Sequence, residues 1–184
     1  MIIVDANLLI YAVNRDDPRH DVVRRWWEAL LSGHAAVGIP WVVALAFVRI
    51  ATRRGLPPRS LTVEQATDYV AEWTRQPHVS LPVPGPRRWP TFAALVRRSA
   101  AAGTLTADAH IAALAIENGA TVARADGDFV RFEQASLVDP LRPDRAPRGA
   151  VAASPCPCRG PRRRALPRRA DGTIMHWWKT QHTA

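Results

Sequence analysis

The sequence is poor in sulfur, with two cysteines and two methionines in 184 residues. Cys156 and Cys158 lie near the end with one residue between them. That leaves no disulfide framework to staple a fold and points to a cytoplasmic protein. The same spacing misses the C-x₂₋₄-C of a structural zinc site, even with His176 and His182 downstream. Long hydrophobic runs are also missing. The longest, "IPWVVALAFV" at 39–48, is ten residues with a proline at its second position, too short to span a bilayer. The chain enters an apolar segment at once, with no basic stretch and cleavage site ahead of it, so secretion and membrane attachment are not expected.

What is present is enough for one core, since 47% of the residues are hydrophobic. The net charge of +9 invites a nucleic-acid reading, but its distribution decides what it means. Residues 1–140 carry 15 Arg against 14 acids, whereas residues 141–184 carry 9 Arg and 1 Lys against 2 Asp. The positive field therefore belongs to the tail, and the charge of the folded part is nearly balanced. The tail is rich in Arg, Pro, Gly and Ala without periodicity. It reads as a basic, low-complexity, disordered segment over 142–184, either able to bind nucleic acid nonspecifically or an extension with no role.

Ahead of the tail, strand and helix patterns alternate. Residues 1–4 read as a buried strand. "PRHDVVRRWWEALL" places Val22, Trp26, Ala29 and Leu30 on one helical stripe, and Gly33 stops it. Residues 35–40 predict a short strand and 41–55 a helix ended by Gly55. A further helix is capped by Thr62, with Val63, Ala66, Val70 and Trp73 at helical spacing. "VSLPV" predicts an edge strand because Pro82 interrupts it. Helices follow over 89–103 and 105–119, the second capped by Thr106. Strands over 120–126 and 135–140 complete the order. This alternation predicts an α/β fold with a mainly parallel sheet, whose functional groups gather beyond the carboxyl ends of the strands.

Three aspartates stand apart from ordinary surface faces. Asp5 separates two apolar stretches, where an isolated carboxylate is rare. Asp108 sits in the first turn of an Ala/Leu/Ile-rich helix and shares a face with Ala112 and Ala115. Asp126 follows a strand, with Asp128 two residues on. Singly, each has a plain explanation as a cap, a dipole partner or a turn residue. Jointly they converge on one sheet edge. Like charges at ~4 Å repel by about 4 kcal/mol at an effective dielectric of 20, so a divalent cation would resolve the conflict. Oxygen-only ligands point to Mg²⁺, with Mn²⁺ as the alternative.

With "IIVDANLLIYAVN", "IPWVVALAFVRIATRRG", "LTADAHIAALAIENGATV" and "ADGDFVRF" in that order, residues 1–141 resemble the PIN-domain family. The similarity is specifically to the VapC-type ribonuclease toxins of VapBC toxin–antitoxin pairs. The resemblance implies a three-layer α/β/α sandwich and a Mg²⁺-dependent endoribonuclease. It also implies a homodimer and a small antitoxin that blocks the acidic pocket. It carries metal binding to Asp5 and Asp108 and matches Asp126 and Asp128 to the acidic turn. Asp126 would complete the site or orient the water, and Asp128 would act from outside the coordination sphere. Asn7 would orient Asp5 or cap the following helix.

Two positions depart from the family pattern. Ala46 stands where many relatives carry a Glu, and Arg124 where a Ser or Thr is common. They motivate an alternative: a PIN-like domain with a degraded site, serving as a binding module or inactive toxin. A phosphatase reading is weaker, because "DANL" lacks a second Asp two residues after Asp5. Trp26, Trp27, Trp41, Trp73 and Trp89 offer faces on which RNA bases stack. Trp26, Trp41 and Trp73, at helical or junction positions, read instead as core or dimer packing. Arg49, Arg53 and Arg54 read as a solvated helix end or as contacts for phosphate or antitoxin, and His110 as a surface residue rather than a general base.

Overall fold

A computed structural model describes residues 1–142 except 54, 56–59, 104, 126–131, 133 and 134. The described residues all fall within one compact unit, Met1–Ala150. Asp126, Asp128, both cysteines, His176, His182, Arg54 and the tail from residue 143 lie outside the described residues.

The described elements are β1 (Ile2–Val4), α1 (Ala6–Val13), α2 (His20–Ser32), β2 (Val37–Gly38), α3 (Trp41–Ala51) and α4 (Val63–Thr74). They continue with β3 (Val79–Ser80), α5 (Arg88–Ser99), α6 (Leu105–Asn118), β4 (Thr121–Ala123) and β5 (Ser136–Val138). The five strands form one parallel sheet in the order β3-β2-β1-β4-β5. Right-handed crossovers then put α1–α4 on one face and α5–α6 on the other, the expected three layers. Chain direction through the sheet reverses between β1 and β4. Connections leave β1 toward β2 and leave β4 toward β5, so the crevice between them is the switch point.

Local signals explain most of these elements. Thr62 and Gln65 form a full capping box at the start of α4. β3, the strand next to Pro82, lies at an edge as expected. No helix among the described residues is long and apolar enough to cross a membrane.

Four expectations are corrected. The buried stripe of α2 is Val23, Trp27 and Leu30, one position later than predicted, and Val22 and Ala29 are exposed. The doublets Val22-Val23 and Trp26-Trp27 satisfy helical spacing in either phase, so only packing decides. In α4, Tyr69 is buried where Val63 was expected, because its ring meets Phe47 and Trp73. Thr106 is not a cap. It lies inside the first turn of α6 and its hydroxyl donates to the Gly103 carbonyl at 2.7 Å. Finally, α5 ends at Ser99 rather than at Gly103, with Ala100 in the left-handed region at φ 49°.

Trp41 also departs from a core reading, being 60% exposed, while Trp73 is buried and Trp26 is half-buried. Arg49 is exposed in the last turn of α3, as a helix-end cation should be.

Candidate active site

β1 delivers Asp5 to the carboxyl rim of the sheet. Its backbone is extended and its N–H donates to the Ala123 carbonyl at 3.0 Å, which continues the β1–β4 pairing by one residue. Its Oδ1 accepts from the Ala6 N–H at 2.7 Å, so Asp5 is the N-cap of α1. The positive end of that helix offsets part of the cost of keeping a carboxylate only 8% exposed. Asn7 is therefore not the cap and sits half-buried within α1. That capping bond uses one of the roughly four lone-pair positions a carboxylate offers.

Asp108 lies in the first turn of α6 and is half-buried. Ala112 and Ala115, four and seven residues on, are fully buried, so the acid leans toward the packed side of the helix. α6 turns into β4 at Gly119, whose φ of +56° lets the Ala120 N–H reach back to the Ala115 carbonyl at 2.8 Å. The helix consequently runs antiparallel to β4, which puts its first turn at the carboxyl end of the sheet. Topology thus brings Asp5 and Asp108 to one rim.

Position 124 follows β4 beside Asp5 in the pairing. Arg124 is 4% exposed, and its N–H donates to the Val138 carbonyl at 3.0 Å. Strand alternation alone leaves its face open; the fold buries it. Asp126 and Asp128 come two and four residues later, outside the described residues. Ala46, half-buried in α3, supplies no donor atom. Among the described residues no three His, Cys, Asp or Glu side chains gather closely enough to hold a metal. Asp5 and Asp108 lie at the same end of the sheet and offer oxygen only, the donor type a hard divalent cation takes.

Sequence reasoning missed a cleft of about 580 Å³ walled by the N-terminal parts of α3, α5 and α6. Arg88, Trp89 and Phe92 of α5, Thr106 and His110 of α6, and Val42 of α3 line it. Its polar anchor is an ion pair: Arg88 donates from Nε at 3.0 Å and from Nη2 at 2.5 Å to Glu117 Oε2. The Arg88 hydrogen bond holds the Glu117 carboxyl below its ordinary range, against an opposing effect of burial. Burial, and then the Arg88 charge, lower the His110 imidazole, so His110 favours its neutral form. His110 is thus half-buried in a wall of this cleft rather than a plain surface residue.

The PIN domain family profile matches residues 2–134. The chain is 44% identical to Ribonuclease VapC37 of Mycobacterium tuberculosis over 133 residues, covering 72% of this chain and 92% of that protein. It is 38% identical to Ribonuclease VapC33 of the same species over 142 residues, covering 77% and 99%. Among solved structures, VapBC2 from Rickettsia felis, bound to a DNA fragment from its promoter, superposes with a TM-score of 0.55 at 17% identity. That match covers 76% of this chain and 98% of that one, a likeness of fold alone. A matching profile over most of the chain, two ribonuclease-named relatives above 30% identity and the parallel sheet with its acidic rim agree: the chain belongs to the PIN domain family.

Proposed function

We propose that this chain is a metal-dependent endoribonuclease that hydrolyses RNA phosphodiester bonds as the toxin of a toxin–antitoxin pair. The observation that carries the reading is a buried carboxylate, Asp5, at the switch point of the sheet, with the acidic first turn of α6 over the same rim. The names of the ribonuclease relatives support the reaction class. The VapBC neighbour supports a small protein partner, the cognate antitoxin.

Asp5 and Asp108 would hold Mg²⁺, or Mn²⁺, with Asp126 completing the set and Asp128 orienting from outside it. A cation so bound acidifies a water and neutralises charge on the phosphoryl oxygens. The chain itself supplies orientation. The Ala6 N–H fixes one oxygen of Asp5, and the packed alanines of α6 set the height of Asp108. Trp41 and Leu45, one helical turn apart on α3 and 60% and 63% exposed, give an apolar face suited to a second copy of the chain. The cytoplasm is the compartment this reading assigns.

The test is RNA cleavage by the purified chain with Mg²⁺ or with EDTA, alongside Asp5→Asn and Asp108→Asn. Cleavage that needs metal and disappears in both variants is expected; cleavage that survives both would reject the assignment. Ala46 and the buried Arg124 favour one other reading, a PIN-like binding module or inactive toxin with a degraded site. Under that reading Mg²⁺ neither supports cleavage nor raises the melting temperature, whereas binding to the folded state alone must raise it.

A further inference from the structure

We propose that the cleft between α5 and α6 is a subsite for one unstacked base of the RNA strand, stacked on Trp89 and read at its edge by Arg88. The proposal rests on the ribonuclease reading for the identity of the strand and adds the part of the strand that is recognised.

Trp89 is 72% exposed at the mouth of the cleft and is braced by Phe92, with ring centroids 5.6 Å apart and planes tilted by 36°. An indole held in place with an open face is a stacking platform, and every base offers a π-face to it. Val42 adds apolar wall, and Thr106 and His110 form the side contributed by α6. The polar requirement comes from Arg88, which is only 6% exposed. Its Nε and Nη2 are committed to Glu117, whereas its buried Nη1 has no acceptor among the described residues. A buried donor without an acceptor is costly, and a ligand that satisfies it gains accordingly.

Glu117 already balances the guanidinium charge, so the vacant donor calls for a neutral acceptor rather than a second anion. A base carbonyl meets that need. Uracil O4 and guanine O6 present an acceptor where cytosine and adenine present an amino group. Nη1 is covered by neighbouring atoms, so the base must displace that cover as it inserts. The cleft also lies within reach of the acidic rim. On α6, Thr106 and His110 face away from Asp108. A strand crossing the first turn of that helix therefore passes from the carboxylates to the cleft over about one helix width, roughly 10 Å. The base that is read flanks the cut rather than adjoining it.

The experiment uses the full chain carrying Asp5→Asn, so that oligonucleotides are bound without being cut. Elevated salt suppresses nonspecific binding by the Arg-rich tail. Fluorescein-labelled U10, C10 and A10 are titrated, and U10 should bind most tightly. Adding Trp89→Ala should weaken U10 by about tenfold, the loss of one stacked base. Adding Arg88→Lys, which keeps the charge opposite Glu117 but removes Nη1, should bring U10 and C10 together. If Arg88→Lys fails to fold, the exposed Trp89→Ala carries the test. A U10 containing 5-iodouridine, which keeps O4, should photo-crosslink within residues 88–99 or on the α6 wall at residues 106–110.

U10 affinity within twofold of the parent in Trp89→Ala, or crosslinks confined to other segments, overturns the subsite. So does failure of the parent to bind any of the three oligonucleotides. If Trp89→Ala instead converts a dimer to a monomer in sedimentation while U10 affinity holds, the cleft mouth belongs to a second copy and the proposal falls. Because binding is read without cleavage, a wild-type chain that does not cut RNA would end the nuclease reading and leave this result interpretable.

Discussion

The two helical layers flanking the sheet are built on opposite plans. On the α1–α4 side, Trp27, Phe47, Tyr69 and Trp73 pack ring against ring. Trp73 lies 4.9 Å from Phe47, 5.6 Å from Trp27 and 5.7 Å from Tyr69 between centroids. On the α5–α6 side, α6 buries Ala109, Ala112, Ala113 and Ala115, and Arg88 is anchored to Glu117. Large rings remove much apolar area from water and dominate stability. Small side chains remove less but let a helix lie close to its neighbours. The first layer carries the aromatic packing; the second carries Asp108 and most of the cleft, to which the first adds only Val42.

This division makes its sharpest prediction at Trp73. Trp73→Ala should cost about 3–5 kcal/mol in urea unfolding, while the folded fraction keeps its cleavage rate per molecule. A comparable loss of specific activity would show that the aromatic layer also shapes the site. The converse change is Asp5→Asn, which retains a capping side chain. Cleavage should fall by more than about a hundredfold, since even groups outside a coordination sphere are worth about 10–100-fold. Thermal stability in the absence of metal should change far less than in Trp73→Ala, because the asparagine side chain still caps α1. A destabilisation as large as that of Trp73→Ala would mean that Asp5 is structural after all, and the contrast between layers would fail.

Much of this arrangement was legible in the sequence, and the limits have physical causes. The helix and strand order follows from local signals: the Thr62 box, Gly33 and Gly119 as stops, and Pro82 beside an edge strand. Strands of two or three residues carry no code for their neighbours, so the order β3-β2-β1-β4-β5 emerges only from tertiary pairing. The phase of α2 was undecidable from two adjacent doublets. Asp5 could be found because a carboxylate between two apolar stretches is anomalous by itself. The cleft could not, because α3, α5 and α6 each contribute one wall and none of those walls is unusual alone.

The α5–α6 layer should also be the more sensitive to acid. Glu117 is held below its ordinary carboxyl pKa of 4.5 by Arg88. Its contribution to stability is therefore complete above the unfolded value and lost as pH falls through the lower folded one. The melting temperature should drop across that acidic window, and Glu117→Gln should flatten this part of the profile. If the variant leaves the acid limb unchanged, other carboxylates govern it, and the ion pair is not what ties α5 to α6.

The smallest expected effect comes from the two helix ends within this layer. α6 closes with Gly119 at φ +56° and the Ala120 N–H on the Ala115 carbonyl. α5 closes in the same pattern, with the Ala101 N–H on the Val96 carbonyl at 3.2 Å, but it places Ala100 at φ 49°. A Cβ in the left-handed region costs about 1–2 kcal/mol, and glycine avoids it. Part of that gain is returned through the greater freedom of glycine in the unfolded chain, about 0.4–1 kcal/mol. Ala100→Gly should therefore stabilise by roughly 0.5–1 kcal/mol, read as a higher urea midpoint at unchanged slope. A lower midpoint would show that Ala100 makes packing contacts worth more than its strain, and that α5 ends under a tertiary constraint which α6 does not share.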